Sequence, residues 1–357
     1  MTPTLLRAAL FGLLSAPALA SADSLQLYGR LNLGIESMRV HGNAAQTRLS
    51  NYRSVLGVRG SEDLGRGMRL IFQVEGTLSP DTGAGSIAAR DTRVGLEGAW
   101  GTVFAGNWTT PYNSATSGLD PFYPTTAGYM SIMGNGSAAS ASNTSDTSSF
   151  DRRQQNSLHY WTPAWRGLSL RLAHGFNEEA PPNGAKPSLS SGALVFEEGR
   201  LLATLAHERH REYRGPGLND RGTKLAAAWK FGAARGVAVA EQLHYETAGG
   251  DLERRSYFVS LTRQFGAHAL KLGVAKARDG KGKSTQQVGY VRAGSDTGAV
   301  HTTLGYDYAL SKRSSLFAFY THLNNDGRGA YDFAINGLDT ATGATASGLA
   351  LGMRHAF

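Results

Sequence analysis

Hydrophobic and polar residues alternate with a period of two from residue 25 onward. In LQLYGRLNLGIE (25–36), Leu25, Leu27, Leu31, Leu33 and Ile35 fall on one face. The opposite face holds Gln26, Tyr28, Arg30, Asn32 and Glu36. Successive side chains of a β-strand point to opposite sides. The pattern therefore predicts a strand with one apolar face.

The same alternation recurs along the chain, for example in MRLIFQVEGTL (68–78), SYFVSLTRQF (256–265) and the closing GLALGMRHAF (348–357). Short connections (AWRG, FGA, SKR) alternate with long ones rich in Gly, Ser and Asp, which are 177–188, 211–221, 247–252 and 325–344. We count sixteen strands. The pattern leaves open the bounds of the eighth and ninth strands and the state of QQVGYVRA (286–293).

Composition supports an all-β protein. The 357 residues include 45 glycines, and a glycine inside a helix costs roughly 1 kcal/mol relative to alanine. There is no cysteine, which excludes disulfides, thiolate metal sites and a cysteine nucleophile. The mean hydropathy of −0.28 fits a soluble β-sandwich or adhesin, but it also fits a membrane barrel, since barrel strands show lipid only half their residues.

The first 22 residues have the organisation of a secretory signal peptide. One basic residue, Arg7, precedes a short apolar stretch and small residues, so cleavage after Ala20 or Ala22 is allowed, and we favour Ala22. The alternative is a membrane anchor, but the apolar stretch is too short to span a bilayer of about 30 Å. The remaining domain is 23–357.

One connection, from residue 110 to 150, is too long and irregular for a compact soluble domain. It contains Phe122, Tyr123 and Met130, which would not be left fully exposed to water. Inside a barrel protein such a loop is expected to fold into the lumen as a constriction. The alternative is a mobile external loop.

Short turns at one end and long loops at the other are typical of outer-membrane barrels. The segments LGVRGSEDLGRGMRLIFQVEG, RVGLEGAWGTVFAGNW, RRQQNSLHYWTPAWRGLSLRLAHGF and LGYDYALSKRSSLFAFYTHLNN resemble those of the trimeric general porins of Gram-negative β-proteobacteria and neisseriae. The resemblance runs from the first strand to the closing GMRHAF, and it is weaker between 270 and 300.

This resemblance implies a transmembrane antiparallel β-barrel of sixteen strands whose long third loop (110–150) folds into the lumen. It implies an outer-membrane homotrimer, with contacts from the outer wall and a second loop near Ser79 to Ser86, and passive diffusion of small hydrophilic solutes. The implied partners are outer-membrane lipid, lipopolysaccharide and the barrel-assembly machinery. That machinery would recognise an alternating C-terminal signal, here Leu351, Met353, His355 and Phe357.

The residues expected to line the pore have the inward parity or match the family's third loop. Arg153, in RRQQNS, matches the family motif that opens the sixth strand. The other candidates on the wall and on the loop are Arg30, Arg53, Arg69, Arg93, Glu75, Asp120 and Asp146. Charged rings sort ions by sign. We expect a mild anion preference, because several arginines of the family are replaced here.

No enzymatic function is predicted. HERH (207–210) lacks a third metal ligand, and no nucleophile elbow or phosphate-binding loop is present. No cofactor is expected, although acidic loops leave Ca²⁺ open without nameable ligands. The formal charge of +8 is spread over many strands, so nucleic acid is not a predicted partner. A substrate-specific channel with an aromatic slide of Trp108, Tyr112, Phe122 and Tyr123 is the alternative function.

Overall fold

The computed structural model describes residues 24–136, 148–178 and 183–357, so the predicted signal peptide lies outside the described residues. Almost all regular structure is β-strand. The segments are β1 Ser24–Val40, β2 Gln46–Asn51, β3 Ser54–Gly65, β4 Met68–Ser79, β5 Ala84–Ser86, β6 Thr92–Gly98, β7 Gly101–Thr109, β8 Arg153–Trp161, β9 Leu168–Gly175, β10 Ser188–Glu198, β11 Leu201–Arg211, β12 Asn219–Phe231, β13 Ala234–Thr247, β14 Gly250–Phe265, β15 His268–Ala277, β16 Lys281–Gly282, β17 Ala299–Ala309, β18 Ser314–Asn325 and β19 Thr345–Ala356.

These segments form one closed antiparallel sheet in which sequential neighbours pair. Closure occurs between the first and last segments, with Arg30 opposite Ala356 and Val40 opposite Ala346. Closure removes sheet edges, whose unpaired backbone groups would each cost several kcal/mol in hydrocarbon.

The nineteen segments make sixteen barrel strands, as predicted. Segments β2 and β3 both pair with β1, β5 and β6 both pair with β4, and β15 and β16 both pair with β14. Each of these three pairs therefore continues one line of the wall. The break between β2 and β3 falls at Arg53, whose φ of 56° lies in the left-handed region that interrupts a strand.

The predicted parity is confirmed on the strand that opens the barrel. Leu25, Leu27 and Ile35 are more than half exposed on the outside, whereas Asn32 and Glu36 are completely buried. The same outward apolar row continues around the wall. It includes Leu56, Val74, Val94, Leu158, Leu194, Leu205, Leu225, Val259, Leu272, Leu304, Leu349, Leu351 and Met353. Such an apolar exterior is typical of a barrel surrounded by lipid.

The two ends of the barrel differ as predicted, with one error. Connections such as 99–100, 199–200 and 266–267 are tight turns, and we call their end of the barrel the short-turn rim. The opposite end, the long-loop rim, carries loops such as 110–152 and 326–344. The expected long connection at 247–252 is wrong, because β13 ends at Thr247 and β14 resumes at Gly250, closing a tight hairpin.

The segment 286–293 is not a barrel strand. It holds two isolated bridges, one between the buried residues Val288 and Val291 and one from Ala293 to Gly280. It belongs to a long connection, 278–298, that packs against the loop 110–150: Asn135 donates to the Val288 carbonyl at 3.0 Å and accepts from Tyr290 N at 2.9 Å. Hydrophobic residues inside a loop explain why the pattern resembled a strand.

The loop 110–150 begins with one short helix, α1 Pro111–Ser114, capped by the Thr110 hydroxyl, which accepts from Asn113 N. Much of the apolar core is formed by this loop, with Tyr112, Ile132, Met133 and Phe150 almost fully buried. In the described part of the chain, no helix is long and apolar enough to cross a membrane.

Candidate functional site

The loop 110–150 is bonded to one side of the wall through Glu241 of β13. The Tyr112 hydroxyl donates to Glu241 at 2.8 Å, and Gly134 N donates to the other carboxylate oxygen at 2.8 Å. The carboxylate also pairs with Lys224 at 3.5 Å and with Arg254 at 3.2 Å, and all three charged side chains are at most 3% exposed. A buried carboxylate is stable here because two cations and two donors surround it.

Other contacts tie the same loop to distant strands. Thr126 donates to Glu36 of β1 at 2.9 Å, and Thr303 of β17 donates to the Ala127 carbonyl at 3.1 Å. Lys271 of β15 donates to the Pro121 carbonyl at 3.1 Å. The loop is thus held by inner-face side chains from both halves of the strand order.

An arginine cluster lies where the loop approaches β1, β3, β6 and β8. Arg30 donates to the Arg53 carbonyl at 3.0 Å, and Arg53 donates to the hydroxyl of Tyr123 in the loop at 3.3 Å. Arg153 and Arg90 extend the cluster, and Arg354 of β19 lies within electrostatic range of Arg30. We call these five residues the arginine cluster.

Two carboxylates partly neutralise the arginine cluster. Arg90 pairs with Glu75 at 2.8 Å, and Arg153 pairs with Asp91 at 2.8 Å. Among the described residues, no carboxylate lies within ion-pair distance of the remaining arginines, which are Arg30, Arg53 and Arg354. Only two of the five arginines therefore form a direct ion pair, although Asp151 and Asp307 also lie within electrostatic range of the cluster.

Two of the predicted arginines lie elsewhere. The Arg93 guanidinium rests on aromatic rings, 4.3 Å from the centroid of Trp108 and 4.6 Å from that of Phe104. Arg69 is half exposed and pairs with Glu97 on the neighbouring strand. Its strand begins at Met68, so Arg69 lies at the short-turn rim, away from the cluster.

Asp120, predicted as an acid of the loop, is buried and hydrogen-bonded within its own turn. Its carboxylate accepts from Phe122 N and from Tyr129 N, each at 2.9 Å. Burial raises the pKa of Asp120 to about 6, against the lowering effect of these two bonds and of Lys271. The other predicted acid of the loop, Asp146, lies outside the described residues.

The predicted assembly signal forms the end of β19. Leu351, Met353 and Phe357 are exposed on the outer face. Phe357 exchanges two backbone hydrogen bonds of 3.1 Å with Gly29, and its ring lies over that glycine, since a Cβ added there would be 2.4 Å from Cζ. His355 Nδ1 and the Ser314 hydroxyl of β18 share a hydrogen bond of 2.8 Å.

Three of the four residues of the predicted aromatic slide are packed against other parts of the protein. Tyr112 is buried, and its hydroxyl donates to Glu241. Phe122 lies against Gly273 and Gly305. Trp108 packs among the aromatic rings that contact Arg93. Only Tyr123 remains beside the arginine cluster.

The sequence analysis did not identify several charged residues of the inner face. Their alternation with outward apolar residues would have indicated them. Arg354 alternates with Met353, and Lys224 alternates with Leu225, as inward residues should. Glu241 and Arg254 follow the same rule on β13 and β14. The parity argument stopped at the seventh strand and therefore did not reach them.

The two histidines of HERH (207–210) lie on opposite faces of β11. His207 is exposed and His210 is buried, because residues three apart on a strand face opposite sides. Within the residues that the structure describes, no group of three or more His, Asp or Glu side chains could hold a metal ion.

Comparison with known proteins decides the family. A family model described as Gram-negative porin matches residues 7–328. The chain belongs to the Gram-negative porin family. Porins of this family are channels, so the barrel forms an outer-membrane pore.

Two relatives align with most or all of this porin's length. It is 28% identical to outer membrane porin protein 32 of Delftia acidovorans over 314 residues, covering 85% of this chain and 84% of the relative. It is 24% identical to an outer membrane porin of Bordetella pertussis over the full length of both chains.

Solved structures confirm the fold. An anion-selective porin from Comamonas acidovorans superposes with a TM-score of 0.79 at 24% identity, covering 94% of this chain and 99% of the other. An outer membrane protein of Vibrio cholerae in its trimer form gives a TM-score of 0.68 at 14% identity, covering 94% and 100%. At these identities the likeness establishes the sixteen-stranded barrel alone.

Proposed function

We propose that this porin is a passive diffusion channel for small hydrophilic solutes with a mild preference for anions. The observation that carries the preference is the arginine cluster, in which only two of the five guanidinium groups form an ion pair with a carboxylate. Fixed charges in a narrow lumen of low dielectric act more strongly than at an open surface. The similar fold of an anion-selective porin supports the same direction.

We also infer that the loop 110–150 forms the constriction. Its hydrogen bonds reach Glu36, Glu241 and Thr303, which lie on the inner faces of strands far apart in the sheet. Bonds to such widely separated strands support a path of the loop across the interior of the barrel. Apolar residues of the loop such as Ile132 and Met133 share one buried cluster with residues of β12–β15 and β17–β19, and Tyr123 lies beside the arginine cluster.

The assembled form is proposed to be a homotrimer. A related fold has been solved in a trimer form. Here the outer wall of β1–β4 carries an apolar groove lined by Leu27, Leu56, Val74 and Ile87. Ile87 is 89% exposed in the second loop, so this side chain needs a covering surface. Lipopolysaccharide and the assembly machinery are the further partners we propose.

The experiment that tests the proposed selectivity is a reversal-potential measurement on the purified porin in a planar bilayer under a KCl gradient. We expect stepwise current and a chloride-directed potential. Arg53→Gln should shift the potential toward zero, because Arg53 is an unpaired cation of the cluster. Arg153→Glu should do the same by reversing one charge.

Arg69→Gln is the matched control, since it also removes one arginine from the inner face but at the short-turn rim and beside Glu97. It should leave the potential nearly unchanged. A potassium-directed potential in the unmodified porin would contradict the anion preference but not the channel function. Absence of conductance from correctly folded protein would overturn the channel itself.

A further inference from the structure

Two arginines of the inner face rest on one tryptophan ring, apart from the arginine cluster. The Arg93 guanidinium of β6 lies 5.4 Å from the ring centroid of Trp161 on β8. The Arg171 guanidinium of β9 lies 5.1 Å from the same centroid, and the two residues are opposite each other in the strand register. Trp161 therefore contacts a cation from each flanking direction along the wall. We call Arg93, Trp161 and Arg171 the arginine–tryptophan patch.

The arginine–tryptophan patch faces the lumen. Val94 and Leu172, which follow the two arginines in sequence, are exposed on the outer wall, as is Leu158, three positions before Trp161. Successive side chains of a strand point to opposite sides, so all three members of the patch point inward. Each of them is partly exposed there, within reach of a solute.

The patch lies on the short-turn side of the arginine cluster. Trp161 is the last residue of β8, whereas Arg153 of the cluster is the first residue of the same strand. Buried rings support the patch from behind: the centroids of Phe104 and Trp108 lie 5.0 Å and 6.2 Å from that of Trp161. A solute that crosses the barrel passes both the cluster and the patch.

The patch contains hydrogen-bond donors that the protein does not use. In the described part of the chain, the buried atoms Arg93 Nε, Arg93 Nη1 and Trp161 Nε1 have no hydrogen-bond partner. Buried polar atoms are normally satisfied, so such a group of orphaned donors requires an explanation. All of these groups donate and none accepts, which makes the patch complementary to an oxyanion.

Nearby acids do not form ion pairs with the patch. Among the described residues, no carboxylate lies within ion-pair distance of Arg93 or Arg171. Asp91 and Glu97 lie within electrostatic range of Arg93, and Glu197 lies within that range of Arg171. Asp91 is itself paired with Arg153, and Glu97 is paired with Arg69.

The partly exposed indole ring adds a second kind of recognition. Aromatic rings attract one another in offset or edge-to-face arrangements, and guanidinium planes also stack on aromatic faces. A planar aromatic solute can make such contacts with Trp161 and with the arginines beside it. A saturated solute of the same charge and size lacks the π system that these contacts require.

We propose that the arginine–tryptophan patch binds small aromatic carboxylates during their passage through the lumen. The carboxylate is held by Arg93 and Arg171, and the ring of the solute lies against Trp161. The inference rests on the proposed channel function and adds a class of solute to it. Charge alone attracts any anion, whereas the patch recognises charge and a planar ring together.

The test is ligand-observed nuclear magnetic resonance on the detergent-solubilised porin, titrated with benzoate and, separately, with cyclohexanecarboxylate. The two acids have the same charge and nearly the same size, but only benzoate is aromatic. We expect benzoate to bind roughly fivefold more tightly, which is the gain that one favourable aromatic contact provides.

Three variants locate the binding. Trp161→Leu should abolish the difference between the two acids, because the ring is lost while both arginines remain. Arg171→Gln should weaken both acids by a similar factor, because it removes a charge and leaves the ring. Trp165→Leu is the matched control, since Trp165 also contacts an arginine, Arg166 at 5.1 Å, but lies in the turn after β8 and is 69% exposed. It should keep the preference for benzoate.

Equal binding of the two acids by the unmodified porin would overturn the proposal. A preference for benzoate that survives in Trp161→Leu, or unchanged binding in Arg171→Gln, would also overturn it. The measurement needs no ion current, so it is independent of the test of the channel. A porin that conducts normally but binds both acids equally would contradict the patch alone, and one that prefers benzoate without conducting would contradict the channel alone.

Discussion

At the scale of single residues, the most consequential contact is the one made by Glu241. This carboxylate joins the loop 110–150 to the wall and neutralises two buried cations, Lys224 and Arg254. Removing one partner of a buried ion pair costs about 3–5 kcal/mol, because the other charge is left uncompensated. Glu241 is therefore a main anchor of the loop, beside Glu36, Lys271 and Thr303.

The variant Glu241→Gln should loosen the loop. The neutral amide leaves Lys224 and Arg254 without a counter-charge, so we expect a larger and noisier single-channel conductance and faster trypsin cleavage in the loop. Planar-bilayer recording and limited proteolysis measure both effects. Glu97→Gln, which breaks an exposed pair at the short-turn rim, should leave both unchanged. An unaltered conductance in Glu241→Gln would contradict this anchoring role.

Asp120 predicts a pH dependence. Its pKa in the folded loop is about 6, above the ordinary value of 3.8, so the folded state binds the proton more tightly than the unfolded state. Its contribution is greatest below pH 4 and is lost as the pH rises through about 6. Asp151, whose pKa burial also raises, acts in the same direction.

Relative to Asp120→Asn, the unmodified porin should therefore lose up to about 3 kcal/mol of stability between pH 4 and pH 7. Thermal unfolding followed by circular dichroism at the two pH values measures this difference. The variant cannot titrate at this position, so its own change reports all the other groups. Identical pH dependence in the two proteins would contradict the raised pKa.

At the scale of strands, closure depends on the end of β19. Phe357 adds a pair of backbone hydrogen bonds to Gly29 beyond the last residue of the strand, and its ring covers the glycine. Gly29 is required here because a side chain would collide with that ring. The alternating terminal residues thus have a physical role at the seam of the barrel.

Deleting Phe357 should slow barrel formation and lower the amount of folded porin. The two lost hydrogen bonds leave backbone groups of β1 unpaired beside lipid. The heat-modifiable shift of the folded form on a gel, followed during refolding in detergent, measures the effect. Ala356→Ser keeps the bonds and serves as the control. Refolding at the normal rate without Phe357 would argue against this role.

The strands were predictable from sequence, but the loops were predictable only in part. Strand parity is local, so the outward row of Leu25, Leu27 and Ile35 could be recognised from period two alone. The burial of Val288 depends on Asn135, which lies far away in sequence, and no local pattern contains that contact. Arg90 lies between two strand segments, where strand parity gives no direction for a side chain.

At the scale of the whole molecule, the outer wall is not uniform. The apolar groove of Leu27, Leu56, Val74 and Ile87 covers β1–β4, whereas the wall of β11, β12 and β14 carries exposed basic residues such as Arg209, Arg221 and Arg255. The two surfaces differ in chemistry. The apolar one is the surface proposed for subunit contacts.

Ile87→Asp should convert trimers into monomers, because a charge would be buried without a partner at the subunit contact. Light scattering on the detergent-solubilised porin measures the mass. Thr302→Asp, on β17 away from the groove, is the control and should leave the trimer intact. A trimeric Ile87→Asp variant would place the subunit contact elsewhere.

The position of the arginine cluster has a consequence for the proposed trimer. The cluster lies along β1, β3, β6 and β8, where Tyr123 of the loop 110–150 bonds to Arg53. These strands overlap the wall proposed to meet the other subunits. Three positive conduits would then converge on the threefold axis and share one atmosphere of counter-ions. The Debye length is about 8 Å at physiological ionic strength and about 30 Å at 0.01 M. Neighbouring pores would therefore affect each other's ion flux mainly in dilute salt.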